Sequence, residues 1–191
     1  MAIAGAVIAH VPNLISLIRL GAVPIVVWAI ATGRYATAFW LFVAAGVSDA
    51  LDGFIAKKFD AASKFGAWLD PIADKTLLVG VYVALVVRGY LPLWLVMLVV
   101  FRELVIVGGA LLVQAMTQRL EMQPLLVSKI NTAAQIALAA YVLADLAFGF
   151  AQPAITEAAI LAVAATTLIS VAAYVATWWR KVNEWERNDS R

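Results

Sequence analysis

The chain has 191 residues, of which 64% are hydrophobic and only 14% charged, with a net charge of +2. A soluble domain carries about 45–50% apolar residues, so this composition predicts a polytopic membrane protein, one domain over residues 1–191, with no separate soluble half. The absence of cysteine and the single histidine, His10, exclude disulfides, thiolate metal sites and multi-histidine chemistry, and a charge of +2 is too small to argue for nucleic acid.

Met1 to Ala9 is apolar and carries no Lys or Arg, so it lacks the positive region of a secretory signal peptide. It reads as a short N-terminal interfacial helix, or as an extension of the first span. Six apolar segments follow, at about 11–32, 36–56, 70–88, 91–114, 130–150 and 154–178. Each is near the roughly 20 residues that a helix needs to cross the hydrocarbon, and barrel-type alternation is absent. The expected fold is therefore all-α, with six transmembrane helices. The breaks fall at Thr32-Gly33-Arg34, Arg88-Gly89-Tyr90, Thr117 to Pro124 and Gln152-Pro153.

Basic residues fix an orientation. Lys57, Lys58, Lys64, Arg119, Lys129, Arg180, Lys181, Arg187 and Arg191 fall on one side, against Arg34 and Arg88 in the opposite connections. Both termini are expected to face the cytoplasm, with Trp178-Trp179-Arg180-Lys181 as an interfacial anchor. A compact chain without a transit peptide suits a bacterial inner membrane. Gly46 with Ala50, Ala133 with Ala137 and Ala140, and Ala158 with Ala162 are spaced for close helix packing.

Four of the twelve acidic residues lie inside two apolar stretches between positions 49 and 74, as Asp49-x2-Asp52-Gly53-x2-Ala56-Lys57-x8-Gly66-x3-Asp70-x3-Asp74. Carboxylates at membrane depth persist mainly where something compensates them. Each pair, spaced i, i+3 and i, i+4, shares one helix face. Asp49 sits roughly 10 Å and Asp74 roughly 6 Å inside the cytoplasmic ends of their spans, so an antiparallel pairing brings all four to one level. An all-oxygen donor set favours hard cations such as Mg2+, Mn2+ or Ca2+. Gly53, Ala56 and Gly66 leave room for a ligand, and Lys57, Lys58 and Lys64 add charge suited to a phosphate. Asp70 before Pro71 also reads as a helix N-cap.

The segment SDALDGFIAKKFDAASKFGAWLDPIADK resembles the signature of the CDP-alcohol phosphatidyltransferases, D-x2-D-G-x2-A-R-x8-9-G-x3-D-x3-D, at seven of eight fixed positions. The resemblance extends from Pro12-Asn13 to about Gln135. It implies a dimeric six-helix membrane enzyme that transfers a phosphatidyl group from a CDP-linked lipid to an alcohol and releases CMP. Asp49, Asp52, Asp70 and Asp74 would bind Mg2+ or Mn2+, two ions in all. Asp74 would also be the general base toward the acceptor hydroxyl. Gly53, Ala56, Lys57 and Gly66 would bind the CDP-lipid, here CDP-diacylglycerol. Asn13 and Arg19, in a stretch like the family's first-helix pattern, would reach the nucleotide, or Asn13 would cap a helix. The departure is Lys57 in place of the usual Arg, which keeps the charge but loses the bidentate fork.

The acceptor is read from Phe-Arg102-Glu103-Leu and Ser-Lys129-Ile-Asn131-Thr. Arg102 and Lys129 would hold an acceptor phosphate; the alternative is an Arg–Glu pair that only knits helices together. The run PLLVSKINTAAQIAL resembles a Ser-Lys-Val-Asn-Thr stretch of family members that use phosphatidylglycerol, and the further Arg-Glu usual in those that use glycerol 3-phosphate is absent after Glu103. The resemblance implies phosphatidylglycerol as acceptor, giving cardiolipin and CMP. Glycerol 3-phosphate is the alternative. Gly108, Gly109 and Ala110 would open space for a lipid acceptor. Asp145 and Glu157 are assigned no chemistry. A cation-coupled transporter is the rival outside enzymology, but it would place acids or broken helices near mid-membrane.

Overall fold

The computed structural model describes residues 2–59, 64–117, 125–150 and 152–189, with side chains at 16–49, 73, 75–109, 112, 125–150 and 152–180. The described residues form six α-helices and no strand: α1 Ala2–Ala31, α2 Tyr35–Phe59, α3 Lys64–Val87, α4 Leu93–Thr117, α5 Leu126–Phe148 and α6 Pro153–Asp189. The helix number and the breaks at 32–34, 88–90 and 152–153 agree with the sequence pattern, while the expected break from Thr117 to Pro124 lies almost wholly outside the described residues.

Local chemistry sets the ends. Gly33 and Gly89 adopt φ of 76° and 78°, a region open to glycine at no steric cost. Behind Gly33, the Arg34 N–H donates to Ala29 O (2.8 Å) and the Gly33 N–H to Ile30 O (3.1 Å). Behind Gly89, the Tyr90 N–H donates to Leu85 O and the Gly89 N–H to Val86 O, both at 2.9 Å. Each pair of bonds is a Schellman closure that satisfies the last carbonyls of its helix. Pro153 opens α6 at the position where a missing N–H costs nothing.

The chain divides into two units. The first comprises residues 1–91 and 139–151. There α1 packs against both α2 and α3 through buried Val26, Ile30, Phe42, Leu77, Val81 and Leu85. α3 comes close to α1 at Gly80, where an added Cβ would lie 3.3 Å from Val23 Cγ1 and Val27 Cγ2. The second unit comprises 92–138 and 152–191, with α4 packed against α6 and Leu95, Val99, Leu138 and Val163 buried.

Several expectations are corrected. The N-terminal segment is not a separate interfacial helix, because helical backbone runs unbroken from Ala2 to Ala31. Asp70 is not an N-cap: α3 starts at Lys64, where an apolar Phe-Gly-Ala-Trp-Leu run continues the helical pattern upstream of Asp70-Pro71. Among the described residues α1 packs against both α2 and α3 and is their common neighbour; the expected meeting of the acid-bearing stretches of α2 and α3 falls largely outside the described side chains. Gly46, Ala133, Ala137, Ala158 and Ala162 are exposed, and a Cβ on Gly46 would meet nothing. Close packing instead uses Gly80 and Gly109.

By length and composition, two helices among the described residues can cross a membrane, Leu126–Phe148 and Pro153–Arg180. Ser16–Ala31 and Lys75–Val87 are shorter apolar stretches. Bulky apolar side chains stand exposed on several helices, among them Ile18, Trp40, Met97, Leu104 and Leu161.

Candidate active site

Asp49 lies in the second half of α2, about 21 Å along the helix from Tyr35 (14 steps of 1.5 Å). Its Oδ1 accepts from Arg19 Nη1 of α1 at 2.7 Å. The exposures are unequal: 1% for the Arg19 side chain and 42% for that of Asp49. A guanidinium in an apolar helix needs an anion, and Asp49 supplies it while keeping nearly half of its own surface open. Ser16, one turn before Arg19, is also fully buried.

The side chains of Asp52, Gly53, Ala56, Lys57, Gly66, Asp70, Asp74 and Asn13 lie outside the described residues. Their backbone positions are helical: Asn13 in α1, Asp52 to Lys57 in α2, and Gly66, Asp70 and Asp74 in α3. Each acid pair therefore keeps the one-face spacing read from the sequence. No group of three acidic or histidine side chains occurs among the described residues. Lys75, next to Asp74, is exposed.

The second unit holds a different arrangement. Arg102 of α4 is 2% exposed. Its Nη1 donates to Glu103 Oε1 and its Nη2 to Ser128 Oγ. Ser170 Oγ of α6 accepts from Nε and Nη2, both at 3.3 Å. One turn further along α5, Asn131 Oδ1 accepts from Thr166 and Thr167, both at 2.9 Å. Asn131 is fully buried, and its Nδ2 has no partner among the described residues. Lys129 is exposed, so Arg102 is spent on protein partners while Lys129 faces outward. Over Gly109, the space expected for a ligand is filled by the Trp178 ring, into which any Cβ there would run. Trp178 is thus a packing residue, and it lies against Tyr174 with ring centroids 5.7 Å apart; Trp179, 70% exposed, keeps the outward position of an anchor.

At the other end of α2, the turns carrying Arg34 and Arg88 meet. Tyr35 and Tyr90 share a hydroxyl hydrogen bond of 2.8 Å, Arg88 Nη2 donates to Tyr35 Oη at 2.9 Å, and Arg34 lies 4.8 Å over the Trp28 ring. The Tyr90 hydrogen bond, and then Arg88, hold the Tyr35 phenol below the usual tyrosine range, while the same bond lifts Tyr90 above it.

Sequence reasoning found Asp49 and the Arg102–Glu103 pair, but not that Arg19 meets Asp49 or that Ser128 and Ser170 meet Arg102. The signal for the first pair was a lone Arg19 in an apolar run. For the second it was a polar stripe, Ser128, Asn131 and Gln135 at i, i+3 and i+7, opposite Thr167 and Ser170.

The CDP-alcohol phosphatidyltransferase family model matches residues 9–179. The chain belongs to that family. It is 38% identical over 184 residues to the chloroplastic CDP-diacylglycerol–glycerol-3-phosphate 3-phosphatidyltransferase 1 of Oryza sativa subsp. japonica, covering 86% of this chain and 56% of the relative. It is 33% identical to a probable cardiolipin synthase (CMP-forming) of Drosophila melanogaster, over 66% of this chain and 44% of the relative. It is 37% identical to a probable phosphatidylglycerophosphate synthase of Mycobacterium tuberculosis, over 51% of this chain and 49% of the relative. The chain thus spans about half the length of these relatives. Relatives named for either acceptor are similar to it.

Divalent cations fit what is described of this family site. Asp49, the one signature aspartate whose side chain is described, is ionically held yet nearly half open, which leaves carboxylate oxygen free for a hard cation.

Proposed function

We propose that this family member is a six-span membrane enzyme that transfers a phosphatidyl group from CDP-diacylglycerol to phosphatidylglycerol, giving cardiolipin and CMP. The observation that carries the reading is the Asp49 carboxylate, fixed by a buried arginine and left half exposed inside the family signature. Asp49, Asp52, Asp70 and Asp74 would hold two Mg2+ or Mn2+ ions. Bound there, the ions supply polarisation of the diphosphate and charge stabilisation of the departing phosphate. Gly53, Ala56 and Gly66 would leave space for the CDP group, Lys57 would meet its phosphates, and Asn13 would reach the nucleotide. Asp74 takes the proton from the acceptor hydroxyl as its oxygen attacks the lipid-side phosphorus; that bond forms as the bond to CMP breaks.

Lys129, exposed at the start of α5, would meet the acceptor phosphate. Arg102 would join it only by exchanging a serine partner. The unpartnered Asn131 Nδ2 supports an oxygen-bearing ligand in the same unit. The enzyme would act as a homodimer in a bacterial inner membrane, with its termini and the aspartates on the cytoplasmic side, where the basic residues lie. Glycerol 3-phosphate is the second reading, favoured by the similarity to the rice enzyme.

Product analysis tests this. Purified protein receives labelled CDP-diacylglycerol and Mn2+, with phosphatidylglycerol or glycerol 3-phosphate offered separately. Cardiolipin plus CMP from the first is expected. Phosphatidylglycerophosphate from the second alone would replace the acceptor. Absence of CMP with both would overturn the reaction.

A further inference from the structure

We propose that Arg19 is a built-in counter-cation of the aspartate site, which holds Asp49 in place and holds down its affinity for divalent ions in the absence of the CDP-lipid. The inference rests on the reading of Asp49 as a cation ligand.

Three observations carry it. Arg19 belongs to α1, the helix packed against both acid-bearing helices, α2 and α3. Its side chain is 1% exposed, so the charge sits where solvent screens it poorly. Its Nη1 lies 2.7 Å from Asp49 Oδ1, in direct contact with one oxygen of the carboxylate a metal ion would use.

The burial asymmetry separates two roles. If the pair served only to neutralise Arg19, a fully buried anion would do it better; instead Asp49 keeps 42% of its side chain open. An anion held from the inside and open on its other side is ready for a second cation. A cation sharing that carboxylate meets the guanidinium's repulsion at short range, and Coulomb energy falls only as the inverse of distance. Arg19 therefore compensates the acids when no ion is bound and lowers the affinity for ions arriving alone. An anionic diphosphate arriving with the ion offsets that repulsion, so Arg19 favours joint binding of ion and CDP-lipid over binding of the ion alone.

The test measures Mn2+ affinity of the full chain in detergent, by electron paramagnetic resonance of free Mn2+, without substrate. Arg19→Gln is expected to bind Mn2+ about tenfold more tightly than the parent, because a positive charge is removed from a poorly screened position beside the ligand. Arg19→Lys, which keeps the charge, is expected to stay close to the parent. Arg19→Met, a long apolar side chain suited to the buried position, serves if the Gln variant does not fold, with the same expected tightening. A purely structural arginine gives the opposite sign: unchanged or weaker Mn2+ binding in Arg19→Gln and Arg19→Met overturns the proposal. If neither the parent chain nor Arg19→Gln binds Mn2+, with or without added CDP-diacylglycerol, the cation reading of Asp49 falls, and this inference with it.

Discussion

The two units place a buried arginine in opposite settings. In the first, Arg19 is sealed and its anion, Asp49, stays 42% exposed. In the second, Arg102 is sealed and so is most of what it touches: Ser170 is fully buried and the Glu103 side chain is 19% exposed. Both arginines bear the same desolvation cost, yet only the first leaves an acid open to a ligand. The difference teaches that burial of a charge does not itself mark a reactive site. What marks it is a compensating partner with unused capacity.

The largest expected effect follows from breaking the first arrangement. Asp49→Asn removes both the proposed cation ligand and the anion of a buried guanidinium. CMP release should fall at least about 100-fold, as expected when a group stabilising charge in the transition state is lost. Stability should drop by about 2–3 kcal/mol, below the 3–5 typical of a wholly buried pair because Asp49 is half exposed. Turnover assays and thermal melting check the two losses separately.

In the second unit the losses should come apart. Arg102→Ala leaves the Glu103 carboxylate and two serine hydroxyls without their donor and should cost about 3 kcal/mol by denaturation. Lys129→Ala, at an exposed position, should leave melting within about 0.5 kcal/mol. Its KM for a phosphate-bearing acceptor should nonetheless rise about tenfold, which corresponds to roughly 1.4 kcal/mol.

Gly109→Ala probes packing alone. The added methyl must displace the Trp178 ring and should cost about 1–3 kcal/mol. Trp178→Ala in the same chain should recover part of that cost as a coupling energy in the double-mutant cycle.

The smallest effect lies at the turns. Tyr35 is held low by its bond from Tyr90, so Tyr90→Phe should shift the earliest phenolate absorbance to higher pH. The signs oppose each other. The lowered Tyr35 adds stability above the ordinary tyrosine value, and this is lost as pH falls through its own pKa. The raised Tyr90 adds stability below the ordinary value, and this is lost as pH rises through its pKa. Stability between neutral and moderately alkaline pH should therefore change little, and an alkaline melting series checks that.

Much of this was legible in the sequence because membrane composition leaves few ways to place a polar group. Thr32-Gly33-Arg34 and Arg88-Gly89-Tyr90 announced helix ends, and glycine with positive φ closes both. The aspartate spacing identified the family signature. The partners were not legible, since pairing across helices depends on rotation about each helix axis. Nothing local says that Arg19 meets Asp49 thirty residues away, or that Trp178 covers Gly109. The proline rule placed the start of α3 too late, because the apolar run from Phe65 extends the helix upstream of Pro71.

The most direct test of the central claim is CMP release from CDP-diacylglycerol with Mn2+, comparing the parent chain with Asp49→Asn, Asp52→Asn, Asp70→Asn and Asp74→Asn. The account predicts robust release by the parent and loss of at least about 100-fold in each variant, with CDP-lipid binding kept in Asp74→Asn. Parent-like turnover in any of the four, or no release by the parent, would contradict it.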